Sequence, residues 1–178
     1  MKRQAFIFLA VLITVTCHAQ HNLTPVDAGS KVNFVIKNFG LNTNGSFTGL
    51  KGSISYNPAN VNATVFNVTV DANTINTDNK KRDAHLRKDE YFDAEKFPVL
   101  LFKSTKVSAG SDGSLMAEGT MTIKGVSKKI SFPFKVSVLS VGYLFQGSFE
   151  LNRRDFGVGG SSAVMADNLK VSLSVFAK

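Results

Sequence analysis

Tryptophan is absent from this sequence, cysteine occurs once, histidine three times and proline four times among 178 residues. A single cysteine excludes a disulfide scaffold and a zinc site built on thiolates. Three histidines leave little material for a catalytic or metal-binding cluster. Beyond the N-terminal segment, no apolar run approaches the ~20 residues that a membrane-spanning helix needs. Acidic side chains are the minority, 13 against 21 basic ones, for a formal charge of +8. Phenylalanine is in excess, with 15 copies against 3 tyrosines. An aromatic complement with so few hydroxyls has no polar handle and belongs in an interior. With 43% hydrophobic and 19% charged residues, the composition excludes disorder and fits one globular domain behind a short address segment.

Met1 to Arg3 carry two positive charges, Ala5 to Val15 are almost wholly apolar, and Cys17-His18-Ala19 place small residues before Gln20. That is the pattern of a secretory signal peptide over residues 1–19, leaving a domain over 20–178. The protein is therefore expected to be exported, periplasmic or secreted. A minor alternative makes Cys17 the acylated residue of a lipoprotein, although Thr14-Val15-Thr16 lacks the residues such a signal usually has. Removing residues 1–19 takes two basic residues and the cysteine, so the mature chain keeps a net charge of +6 and no thiol. His21 then lies at the new N-terminus, where a loose end is expected.

Period-two alternation runs through most of the remaining chain. Val32, Phe34 and Ile36 alternate with Lys31, Asn33 and Lys37, and Phe66, Val68 and Val70 with Asn67, Thr69 and Asp71. The same pattern recurs from Leu115 to Lys124, Lys129 to Val138, Tyr143 to Leu151 and Leu169 to Val175. Gly52 to Tyr56 and Val99 to Lys106 bring the total to about eight strands, as in an antiparallel sandwich or barrel. Pro133 on the outward face of its run predicts an edge or bulged position. Only Asp78 to Lys88 reads as helix, with Asp78 as the expected N-cap. Two packed sheets and a closed barrel both satisfy this periodicity, but the inward residues are large and apolar, so an occupant of any cavity would be a lipid.

Several stretches together resemble the YceI-like family. They are Asp27 with Ser30-Lys31-Val32-Asn33-Phe34, Gly45-Ser46-Phe47, Arg82-Asp83-Ala84-His85-Leu86, Tyr91-Phe92-Asp93, Phe97-Pro98 and Phe102-Lys103-Ser104. Gly119 to Lys128 and Arg153-Arg154-Asp155-Phe156-Gly157 complete the series, which spans nearly all of the mature chain. The resemblance implies an all-β fold, an eight-stranded lipocalin-like antiparallel barrel with one short helix, associated with isoprenoids or related long-chain lipids. It also has one departure: Gly29-Ser30 stands where the family usually has His-Ser.

On this reading the tunnel lining is Phe34, Ile36, Phe66, Val68, Leu100, Phe102, Met121, Ile123, Phe132, Phe134, Phe145 and Phe149, and an inward Phe134→Trp would block the tunnel. Phe47, Leu86, Tyr91 and Phe92 are expected near the mouth with Arg153 and Asp155, which sit two apart and could pair with each other. The expected function is non-enzymatic binding, transport or sequestration of a long-chain isoprenoid or similar amphiphile. No cofactor is required, and the occupant could be an isoprenoid, a quinone-type lipid or a fatty-acyl lipid. The alternative is an exported β-domain with a filled core, acting through its surface as an interaction or stress-related accessory.

Other chemistries lack their residues. His85 has Asp83, Asp89 and Asp93 nearby, but no Gly-x-Ser-x-Gly elbow accompanies them, so a hydrolase triad is not expected. Metal-ligand spacing is missing as well. Lys80-Lys81-Arg82, Arg87-Lys88, Lys128-Lys129 and Arg153-Arg154 are short, scattered and without interleaved aromatic platforms, so no nucleic-acid partner is expected. The +6 surface favours transient contact with anionic membranes, which salt would weaken. An edge strand would also permit a homodimer. Burying ~40 carbons at about 0.8 kcal/mol per methylene would give roughly 30 kcal/mol, above the ceiling of about 20 for non-covalent binding. A lipid drawn from a membrane exchanges one apolar surrounding for another, so reversible carriage is the consistent reading.

Overall fold

Every alternating segment finds an antiparallel partner in the computed structural model, which describes residues 20–178. The predicted signal segment lies outside the described residues. The strands are β1 (His21–Leu23), β2 (Lys31–Asn38), β3 (Leu41–Phe47), β4 (Lys51–Tyr56), β5 (Val65–Asp71), β6 (Val99–Ala109), β7 (Leu115–Ile123), β8 (Val126–Val138), β9 (Tyr143–Asn152) and β10 (Met165–Ala177), with helix α1 (Lys80–Leu86) between β5 and β6. They form one ten-stranded sheet in the order β1-β4-β5-β6-β7-β8-β9-β10-β2-β3. The sheet curls into a half-barrel with its apolar face inward. Meander order keeps neighbours adjacent in sequence except at two places: β1 pairs with β4, and β10 pairs with both β9 and β2 and so joins the two ends of the chain.

Ten strands stand where alternation predicts about eight. The two additions are β1, too short to carry a period, and β3, whose Asn42, Asn44 and Gly45 have little strand propensity. Its register comes from the two-residue turn at Phe39-Gly40, which pairs Asn38 with Leu41. Gly45 is required there: a Cβ would lie 2.2 Å from Phe34 Cζ, so the Phe34 ring occupies the space a side chain would need. β3 and β4 follow each other without a ladder. The corner is held instead by the reciprocal Ser46–Asn76 backbone bonds of 2.9 and 3.0 Å, and by the Leu50 N–H donating to Asp27 Oδ1 at 2.8 Å.

The helix is shorter than expected and starts one residue later. Asn79, not Asp78, is the N-cap, its Oδ1 accepting from the Arg82 N–H at 3.0 Å, while Asp78 has φ +58°. Asp83 is buried because its carboxylate accepts from both the N–H and the hydroxyl of Thr77, at 2.8 and 2.5 Å. Pro133 pairs with Met116 on β7, and β8 pairs with β9 only from Phe134 onward. Proline therefore stands on a free edge just before that ladder begins, as a residue without an N–H must.

One end of the half-barrel is packed shut. Phe66 meets Phe134 and Phe145 edge-on at 5.3 and 5.6 Å, and Tyr56 meets Tyr143 and Phe145 at 5.1 and 5.5 Å. His21 is not loose: β1 pairs it with Tyr56, and its ring lies 5.3 Å from Tyr143. Burial, and secondarily the neighbouring Tyr143, raise the Tyr56 pKa above its ordinary value of 10. An unfolded chain would ionise Tyr56 first, so this group's contribution to stability is retained below pH 10 and lost as pH rises above it. Tyr56→Phe is expected to flatten the alkaline limb of a stability–pH profile measured by denaturant titration.

Candidate functional site

The opposite end is built differently. Between the concave sheet and the segment from Ile75 to Phe92 lies an apolar cavity of about 200 Å³. Nine of the twelve predicted lining residues border it: Phe34, Ile36, Val68, Leu100, Phe102, Met121, Ile123, Phe132 and Phe149. Phe34, Ile36, Val68, Leu100, Met121 and Phe149 point inward yet are only half-buried, because the surface they expose is the cavity wall. The other three, Phe66, Phe134 and Phe145, lie deeper, around a chamber of about 60 Å³. Val68, Phe102, Phe132, Leu173 and Val175 border both spaces and form the partition. A blocking substitution at Phe134 would therefore act in the packed end rather than in the main cavity.

The mouth is capped by α1 and the turns that follow it. Leu86, Tyr91 and Phe92 face the cavity, and Phe92 meets Phe47 edge-on at 5.5 Å. The cap is tied down by the Gly159 N–H donating to the Glu90 carbonyl at 2.9 Å. Polar residues at the rim are Asn38 and Thr43 on the β2–β3 hairpin and Thr77 and Arg82 on the cap, while Asn33, Thr69 and Arg153 border the space elsewhere. Arg82 donates from Nε to Thr77 Oγ1 at 2.7 Å and from Nη2 to the Thr77 carbonyl at 2.5 Å, which anchors the turn before α1.

Arg153 and Asp155 do not pair. Arg153 is only 5% exposed and lines the cavity wall, whereas Asp155 is exposed and stands outside it. The 3-10 turn over Arg153–Phe156 turns residue 155 away from residue 153, so the extended-chain geometry behind that pairing does not apply. Arg153 spends its donors on the Ala166, Val158 and Gly160 carbonyls at 3.0, 2.9 and 2.9 Å, and on Asp167 Oδ1 at 2.7 Å. This ties together the connection between β9 and β10, and it seats Phe156 and Val158 against the cavity.

Alternation missed a large part of the wall. Val171, Leu173 and Val175 of β10 belong to it, and their period was legible, but which strand faced which could not be read. Leu50, Ile75, Phe156 and Val158 lie in loops and turns, where no period exists to mark them. His85 is exposed on the outside of the cap, 3.0 Å from Glu90 and against the Tyr91 ring. Among the described residues, no group of three or more His, Cys, Asp or Glu is placed to hold a metal ion. None of the described helices is long and apolar enough to cross a membrane.

The family model for the YceI-like domain matches residues 23–177. The chain belongs to the YceI-like family. Relatives named UPF0312 proteins include one from Vibrio cholerae, 31% identical over 149 residues that cover 77% of this chain and 78% of that one. Another, from Pseudomonas aeruginosa, is 30% identical over 81% of this chain and 78% of its own. Burkholderia cenocepacia BcnA has the same fold, with a TM-score of 0.82 at 23% identity, over 86% of this chain and 99% of that one. So does a Saccharophagus degradans domain described as polyisoprenoid-binding, with a TM-score of 0.71 at 19% identity, over 88% of this chain and 97% of that one. The Campylobacter jejuni YceI protein has a TM-score of 0.70 at 26% identity, over 78% of this chain and 86% of that one. At Gly29 an added Cβ would come within 2.9 Å of Phe176 Cδ1. The Phe176 side chain therefore crowds any side chain at this position.

Proposed function

We propose that this YceI-like protein is a non-enzymatic, reversible carrier of a long-chain isoprenoid or similar amphiphilic lipid, exported to the periplasm or beyond. The observation that carries the reading is the wall itself: inward phenylalanine, leucine and methionine side chains left half-buried around an open apolar space. A core evolved only for stability closes such space, because each unfilled volume forfeits packing energy. The Saccharophagus relative's polyisoprenoid-binding description supports the same class of ligand.

The resting cavity, about 200 Å³, is smaller than typical ligand pockets of about 300–1,000 Å³. A long chain therefore needs wall residues that move aside. Met121 and Met165, unbranched and polarizable, suit that role. The polar rim at Asn38, Thr43, Thr77 and Arg82 leaves a head group at the mouth while the chain lies within.

Native mass spectrometry of the mature protein purified from its own host, followed by organic extraction, tests the reading. The expected result is a stoichiometric long-chain isoprenoid, quinone-type or acyl species. An empty protein that also fails to take up offered lipids would overturn it in favour of a filled-core interaction module.

A further inference from the structure

The β2–β3 hairpin breaks two local rules at once. Phe39 and Gly40 form its two-residue turn with φ of +51° and +74°, the positive pair that a type I′ turn requires and that Asn-Gly satisfies best. A phenylalanine there is held in the left-handed region, and the residue is 74% exposed. Leu41 is 73% exposed beside it. The Phe39 N–H donates to the Val164 carbonyl at 2.7 Å, which brings Val164, itself 42% exposed, into the same patch. The equivalent turn at Lys124-Gly125 places a lysine at the strained position and gives its Nζ a partner, the Gly157 carbonyl at 2.9 Å. Phe39 has no such local return, and local rules broken without a structural gain mark functional positions.

The patch adjoins the cavity mouth. Asn38 and Met165, the chain neighbours of Phe39 and Val164, pair with each other across β2 and β10, and both line the cavity. Charge is sparse around it: Lys37 is the single charged residue from Val32 to Leu50, and none occurs from Phe156 to Ala166. We propose that Phe39, Leu41 and Val164 form a membrane-docking tip that inserts among lipid head groups and presents the mouth to the bilayer. The occupant is a bilayer because the patch is continuous with the opening through which a membrane lipid would pass, so the proposal rests on the lipid-carrier reading. Insertion of apolar side chains, rather than attraction of the +6 surface, then dominates binding, and the association depends little on salt.

The test is flotation of the mature chain with phosphatidylcholine vesicles, and with vesicles that also contain phosphatidylglycerol, at low and high salt. Wild type is expected to float with both. The double variant Phe39→Asn, Leu41→Ser is expected to lose roughly tenfold or more in vesicle partitioning. Its melting temperature should be unchanged or higher, since asparagine suits the turn. Uptake of a water-soluble fluorescent fatty-acid analogue, measured without vesicles, should be unaffected. Equal flotation of variant and wild type would overturn the proposal, as would binding confined to phosphatidylglycerol vesicles and abolished by salt. A variant that changes from dimer to monomer in sedimentation but floats as before would assign the patch to a second copy instead. If wild type takes up no fluorescent analogue yet floats through the tip, the carrier reading fails and the docking tip stands.

Discussion

Leu100→Trp is expected to reduce lipid uptake at least tenfold while leaving the protein as stable as the wild type to within about 1.5 kcal/mol. Leu100 sits on β6 opposite Val70, faces the main cavity and is half-buried, so an added ring system enters open space rather than an occupied core. Filling a void gains contacts that partly offset any rotamer strain. Phe134→Trp makes the control. Phe134 is packed against Phe66 and Phe145 at the closed end, where overpacking costs about 1–3 kcal/mol, and its main effect should be on stability. Titration of both variants with a fluorescent acyl probe, alongside urea denaturation, separates the two behaviours. Equal uptake by Leu100→Trp and wild type would move the ligand out of this cavity.

Arg153→Met is expected to destabilise the protein by about 1–3 kcal/mol. The guanidinium is buried with three backbone carbonyls and one carboxylate as its acceptors, and methionine keeps much of the stem's volume while removing every donor. The Ala166, Val158 and Gly160 carbonyls would then lose their donor, whereas Asp167, whose side chain is partly exposed, keeps Arg154 at 3.7 Å and solvent. An unpaired buried acceptor bears its desolvation cost. Lysine restores the charge but not the fork, so Arg153→Lys should recover only part of the loss. Chemical denaturation monitored by far-UV circular dichroism reads both values. Because this connection seats Phe156 and Val158 against the cavity, hydrogen exchange in residues 153–167 should also accelerate in Arg153→Met.

Much of this molecule was legible before any coordinates. Period two at Val32-Phe34-Ile36, at Leu115 to Ile123 and at Leu169 to Val175 states which side chains share a face, because successive strand residues must point to opposite sides. The same alternation, with 15 phenylalanines and a single cysteine in the whole chain, points directly to an all-β domain with an apolar interior. Nine of twelve predicted wall residues border the cavity for that reason: facing inward is a local property, carried by each strand on its own.

What sequence could not carry was anything that depends on how strands meet. Alternation assigns Phe134 and Phe149 the same inward face, yet one plugs the closed end and the other lines the open one, since depth along the barrel follows from register and curl. Arg153 and Asp155 share a face in an extended chain, but a 3-10 turn separates them and hands Arg153 to Asp167, fourteen residues on. β3 was hidden because its polar, glycine-containing strand is held by the turn at Phe39-Gly40 and by the Phe34 ring over Gly45, not by its own propensity. Local covalent geometry determines the face each residue takes; only long-range pairing decides which faces close on one another and which leave a space.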